Sequence, residues 1–170
     1  MNTSTNDNLK EAFAGESMAN RKYLAFAKKA DEEGLKQVAR LFRAAAAAET
    51  VHAHNHLGVL GEIKSTGENL KWAIEGETFE FKEMYPAYIE EAKKEGNKDA
   101  AWSFNMANQV EQIHAGLYKK ALENLGSNEE VDYYVCKVCG NTVENEPSGK
   151  CPICGAPASD FEKVESTTPP

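Results

Sequence analysis

An all-α four-helix bundle followed by a small four-cysteine module is the predicted fold class, and three observations predict it. Four segments of the 170-residue chain carry apolar residues at helical spacing. The second pair of segments repeats the first. All four cysteines fall between 136 and 154, in a tail of different composition.

The first helix is expected from about Leu9 to Ala30, with Phe13, Tyr23, Leu24, Phe26 and Ala27 on its apolar side and residues 1–7 frayed. Glu33-Gly34 ends it. The second runs from about Leu35 to Leu60 around the strong helix formers Arg43 to Glu49. Gly61 to Asn69 reads as a loop. The third runs from about Leu70 to Lys94, with a kink expected at Pro86 because proline removes a backbone donor. The fourth spans about Lys98 to Leu125, and Gly126 stops it. From Val131 the chain is rich in Cys, Gly and Pro, with strand-type residues at Tyr133-Tyr134-Val135. The predicted domains are a bundle over 1–125, a linker over 126–132 and the module over 133–170.

The formal net charge is −8, of which residues 131–170, with six acids and three bases, carry −3. No basic stripe exists, which argues against nucleic acid and anionic membrane as partners. No apolar run approaches the roughly 20 residues of a membrane helix, and no signal peptide is read at the start. Paired Cys-x-x-Cys units without a secretory signal point to a metal site in a reducing, cytoplasmic location.

A shift of 62 residues carries Tyr23 onto Tyr85, Glu33-Gly34 onto Glu95-Gly96, Phe42 onto Phe104, Glu49 onto Glu111 and His52 onto His114. Gly15-Glu16 needs a shift of 61 to reach Gly76-Glu77. Each half is thus a helical hairpin with a glutamate on its first helix and Glu-x-x-His on its second. Positions i and i+3 share a helix face, so each Glu-x-x-His can chelate. Taken singly such a pair is an ordinary solvated helix feature. Repeated with matched upstream glutamates, four glutamates and two histidines form the ligand set of ferritin-like di-iron and di-manganese proteins. Carboxylates bridge and neutralise two hard cations, and imidazole suits iron.

Glu80 breaks the repeat, because Met18 or Ala19 stands at its position in the first half. An extra carboxylate three residues after Glu77 is expected to bind one iron in one oxidation state and release it in another. The plain alternative is a solvated helix glutamate. Tyr23 and Tyr85 read either as core or as hydrogen-bond donors to ligand carboxylates. His54 and His56 read as non-ligands.

Cys136-x-x-Cys139 and Cys151-x-x-Cys154, with eleven residues between, form a tetrathiolate signal. Gly140 and Gly155 follow the second cysteine of each pair and permit the tight turns that bring backbone N–H groups to sulfur. The spacing admits zinc or iron. A two-iron redox centre in the same chain favours iron, with zinc as a replacement on heterologous expression.

On Gly15-Glu16 with Tyr23, Glu49-Thr-Val-His52, Gly76-Glu77-Thr-Phe-Glu80 with Met84-Tyr85-Pro86, Glu111-Gln-Ile-His114 and the rubredoxin-like Cys136-Lys-Val-Cys139-Gly and Cys151-Pro-Ile-Cys154-Gly, the sequence resembles the rubrerythrins over essentially its whole length. The resemblance implies a non-haem di-iron peroxidase that reduces hydrogen peroxide to water. Electrons would come from reduced pyridine nucleotide through a separate reductase or rubredoxin, by way of the rubredoxin-type iron. It implies metal ligation by Glu16, Glu49, His52, Glu77, Glu80, Glu111 and His114, with Glu80 and His52 exchanging on one iron, and Glu49 and Glu111 are taken as the bridges. Glu80, His52, Tyr23 and Tyr85 are the residues expected to act in catalysis. An oxygen-activating oxidase and a ferroxidase or iron-storage protein are the rivals; Glu80 and the attached electron-transfer module favour the peroxidase. Asn141 departs from the aromatic residue common after the Cys-Gly of rubredoxins.

The connection between helices two and three is also short. In a ferritin-like bundle these helices run parallel, so the connection must return roughly 26 Å, against a reach near 30 Å for nine extended residues. A homodimer is therefore expected in which the hairpins are exchanged and each di-iron site uses both chains.

Overall fold

A computed structural model describes residues 4–165. The chain divides into two compact units with the boundary between Lys64 and Ser65. Among the described residues no helix is long and apolar enough to cross a membrane.

The first unit is the hairpin of α1 (Thr5–Glu32) and α2 (Lys36–Leu60). The helix starts earlier than expected, at Thr5 rather than Leu9, because Ser4 and Asp7 close a capping box. The Ser4 hydroxyl accepts from the Asp7 N–H (3.2 Å), and the Asp7 carboxylate accepts from the Ser4 N–H (3.1 Å). Gly34, at φ 76°, turns the chain into α2. Ala39, Ala46 and Ala53 recur every seventh residue of α2 and are buried, as are Ala27 and Ala30 of α1. A heptad of alanines lets the two backbones approach closely along one stripe. Beside it, buried Asn20 donates through Nδ2 to the Ala46 carbonyl (2.7 Å) and to Thr50 Oγ1 (2.9 Å). That bond pins α1 to the turn of α2 that carries Glu49.

The second unit holds α3 (Thr66–Phe79), a π-helical turn (Glu80–Met84), α4 (Tyr85–Lys94), α5 (Lys98–Glu123) and a small sheet. The expected loop over 61–69 is shorter than that. Ser65 caps α3, accepting from the Glu68 N–H (3.4 Å) while Glu68 accepts from the Ser65 N–H (3.2 Å). Gly67 sits inside this box, where a Cβ would lie 3.3 Å from the Leu125 side chain. The expected kink at Pro86 takes a different form. The Tyr85 N–H reaches back five residues to the Glu80 carbonyl, and Pro86, which has no N–H to give, opens α4 instead.

The sheet is antiparallel in the order β2–β1–β3, with β1 Tyr133–Cys136, β2 Thr142–Glu144 and β3 Phe161–Lys163. Its core is Cys136, Cys151 and Ala156, packed by Ile153 and Phe161. Lys120 of α5 donates to both Glu144 carboxylate oxygens of β2 (2.8 and 2.6 Å).

Candidate metal centres

Among the described residues three clusters of metal-ligating side chains occur: Glu16/Glu49/His52, Glu77/Glu111/His114 and the four cysteines. The first lies in the first unit and the other two in the second.

The helical clusters repeat each other in detail. In the first, His52 Nδ1 lies 2.9 Å from Glu49 Oε2 and 3.9 Å from Glu16 Oε1. In the second, His114 Nδ1 lies 2.8 Å from Glu111 Oε2 and 3.8 Å from Glu77 Oε1. Each is made by one turn of a hairpin's second helix facing a glutamate of its first. Each also has its own aromatic cluster, Tyr23–Phe26–Phe42 and Tyr85–Tyr88–Phe104, whose closest rings are 5.6 Å apart in both cases. Six of the seven expected helical ligands therefore assemble as two triads. Glu80 is not part of the second triad; it sits on the π turn, half-buried, beside it. Neither His54 nor His56 belongs to a ligand cluster among the described residues.

Without a cation the second triad is electrostatically loaded. Burial and then the nearby Glu111 charge push Glu77 up to about 7. The same two causes, in that order, raise Glu80. The hydrogen bond to Glu111 raises His114 against an opposing effect of burial. Burial, followed by the charges of Glu111, Glu80 and Glu77, raises Tyr85. Three carboxylates held together with one imidazole call for a compensating positive charge, and oxygen donors with one nitrogen suit iron.

The cysteines are all free thiols. Cys136 Sγ lies 3.7 Å from Cys154 Sγ, and Cys139 Sγ lies 3.6 Å from Cys151 Sγ. A tetrahedral ion with metal–sulfur bonds of about 2.3 Å needs edges of about 3.8 Å, so the four sulfurs fit one with little adjustment. Gly140 and Gly155, at φ 82° and 78°, donate to the Cys136 and Cys151 carbonyls (2.8 and 2.9 Å) and close the two knuckles. Burial raises the Cys139 thiol. Burial also pushes Cys151 up, but the backbone N–H groups of Cys154 and Ile153 outweigh it and bring the thiol down to about 7.

Sequence reasoning missed Thr142, at the start of β2. Its hydroxyl donates to the Gly140 carbonyl (3.1 Å) and lies 2.9 Å from His114 Nε2. With its hydroxyl directed at Gly140, Thr142 offers Nε2 an acceptor, and Nδ1 is the nitrogen that faces the carboxylates of the triad. No periodicity or repeat marks this residue. The contact joins elements 28 residues apart.

The residues of a carboxylate–histidine di-iron site and of a rubredoxin-like four-cysteine site are thus present. The rubrerythrin family model matches residues 7–122, and the model for the rubredoxin-like domain of rubrerythrin matches residues 134–162. The chain is 37% identical to rubrerythrin-2 of Clostridium acetobutylicum, over 95% of this chain and 97% of that one. It is 38% identical to nigerythrin of Nitratidesulfovibrio vulgaris, over 93% and 85%. Solved structures of nigerythrin in a partially reduced state and in a fully reduced, all-ferrous state are similar to it at TM-scores of 0.59 and 0.58. Both are 36% identical in sequence, and the match covers 96% of this chain and 88% of each of those. With two family models accounting for both of its parts and relatives matched nearly end to end, this chain belongs to the rubrerythrin family.

Proposed function

We propose that the chain is a non-haem di-iron peroxidase of the cytoplasm that reduces hydrogen peroxide to water. Two electrons and two protons are consumed per peroxide. The electrons come from reduced pyridine nucleotide by way of a separate reductase or rubredoxin, and enter through the iron of the four-cysteine site. The observation that carries this reading is the Thr142 hydroxyl, which bonds the thiolate module to a histidine of the helical ligand set. An iron-storage protein has no use for that contact.

Glu16, Glu49, His52, Glu77, Glu80, Glu111 and His114 would hold two irons, which when bound would supply electrons and Lewis acidity for O–O cleavage. Glu49 and Glu111, 2.9 and 2.8 Å from their histidines, would serve as the carboxylate ligands shared by the two ions. Thr142, as an acceptor for Nε2 of His114, would leave Nδ1 to the metal. Glu80, raised by burial and by the charge of Glu111, would be the additional ligand, in exchange with His52. The hydroxyls of Tyr23 and Tyr85 steady the carboxylates from the aromatic clusters.

The functional particle is a homodimer with exchanged hairpins. Helix α2 continues 8 residues past His52 and α3 starts 11 residues before Glu77, together about 28 Å of axial travel. With a sideways step of roughly 10 Å the return is about 30 Å. Residues 61–65 reach only about 20 Å when fully extended. The early start of α3 therefore sharpens the expectation drawn from sequence. Each hairpin taken alone leaves large apolar side chains uncovered, Leu41 and Val51 on the first and Trp72 and Trp102 on the second. A second copy covers them.

Anaerobic stopped-flow of the fully reduced protein tests the activity. Oxidation by peroxide is expected to outpace oxidation by oxygen by at least about tenfold, or about 1.4 kcal/mol of barrier. Equal rates, or faster reaction with oxygen, identify an oxidase instead.

A further inference from the structure

We infer that Asn141 sets the reduction potential of the four-cysteine site, raising it by donating a side-chain hydrogen bond to the Cys151 sulfur. The inference rests on the reading that this site holds iron.

Asn141 is 1% exposed and is one of the largest fully buried side chains among the described residues. Its backbone carbonyl accepts from the Cys136 N–H (2.9 Å), and its own N–H acts on Cys139, lowering that thiol against the effect of burial. Its Nδ2 donates to Cys151 Sγ at 3.6 Å. One residue thus touches three of the four ligands, two through backbone atoms that any residue supplies and one through its amide.

The amide is costly where it sits, because its Oδ1 is buried with no partner. Turning it over brings oxygen to the sulfur and leaves the N–H donors facing that empty side. A thiolate charge selects the orientation in which N–H faces sulfur.

Four thiolates with ferric iron carry one net negative charge, and with ferrous iron two. The added electron is spread over the sulfurs, so a donor aimed at one of them favours the reduced form. A buried donor is undiluted by water, and its effect is correspondingly large. Asn141 therefore makes this site easier to fill with an electron than an apolar residue in its place would.

Spectroelectrochemical titration of the full-length, iron-loaded protein tests this, with small one-electron mediators as reductant and the thiolate-to-iron absorption as readout. At the native midpoint, Asn141→Leu is expected to lower the reduced-to-oxidised ratio about tenfold, a shift of 59 mV to lower potential. Asn141→Ala, which cannot overpack, shifts the same way and stands in if the leucine variant fails to fold. Phe161→Leu repacks the same core at a residue outside both cysteine knuckles and is expected to leave the potential unchanged. A red Asn141→Leu or Asn141→Ala protein with the native potential overturns the inference. A colourless native protein holding only zinc after expression and loading with iron overturns the reading beneath it.

Discussion

The two helical hairpins repeat each other from cap to ligand, and their one mismatch is informative. Ser4 with Asp7 and Ser65 with Glu68 are equivalent capping boxes, and Glu16 and Glu77 follow them at the same distance, all at an offset of 61. From Tyr23/Tyr85 onward the offset is 62, through both aromatic clusters and both Glu-x-x-His pairs. The extra residue of the second hairpin is taken up by the π turn, and Glu80 opens that turn. An insertion into a helix usually rotates everything after it by about 100°. Here the wide turn absorbs it, so Tyr85 keeps the environment of Tyr23 while a new carboxylate is placed beside Glu77. The second hairpin is also the drier of the two: the His114 side chain is 27% exposed and that of His52 53%. It alone bears the thiolate module.

The largest expected effect tests whether the hairpins work in exchange. Glu49→Ala and Glu111→Ala homodimers should each lose iron and nearly all turnover. In a dimer made from one chain of each, exchange puts both defects in one centre and leaves the other intact. Iron content and turnover should return to about half of native. Without exchange each centre of the mixed dimer keeps one defect, and nothing returns.

Removing the mismatch comes next. Glu80→Ala is expected to retain iron by metal analysis and to lower peroxide turnover by at least about tenfold, if Glu80 has the proposed role of an exchangeable, non-bridging ligand. Native turnover in that variant reduces Glu80 to a solvated side chain.

A third prediction concerns the metal-free protein. Glu77 is raised from 4.5 to about 7, so its ionised form is disfavoured in the fold and stability falls as pH rises through that window. His114 is raised above 6.5, so its stabilisation is complete below that value and is lost as pH rises past its folded value. Both act in one direction, and the melting temperature of the metal-free chain should fall between about pH 5 and 8. Glu77→Gln should flatten much of that slope; an unchanged slope means that Glu77 is not its source.

The smallest effects belong to the caps. Ser4→Ala and Ser65→Ala should each cost about 1 kcal/mol by denaturant unfolding. Nearly equal losses extend the repeat to the helix ends. A much larger loss for Ser65→Ala shows that its cap also holds the interhairpin connection.

The helices, the six triad ligands and the cysteines were legible in the sequence because each obeys a period: a 3.6-residue face, a 62-residue repeat, a Cys-x-x-Cys. The start of α3 was hidden because Gly67 interrupts the capping box, and its close approach to the Leu125 side chain is not local. The π turn was visible only as a change of offset, since no residue preference marks it, and Pro86 suggested a kink in its place. Thr142 left no trace, because its partner lies 28 residues away; Asn141 showed as a departure from the rubredoxin aromatic, but the bond of its amide to a sulfur 10 residues on did not.

The π turn has a consequence for direction. A centre built from two copies of one motif has interchangeable ends, and nothing in such a symmetric pair tells an incoming electron from a departing oxygen atom. One inserted residue abolishes that equivalence. It gives the second hairpin a carboxylate that the first does not have, on the hairpin whose histidine is tied to the thiolate module. A duplicated scaffold thereby acquires a front and a back, at the cost of one widened helical turn.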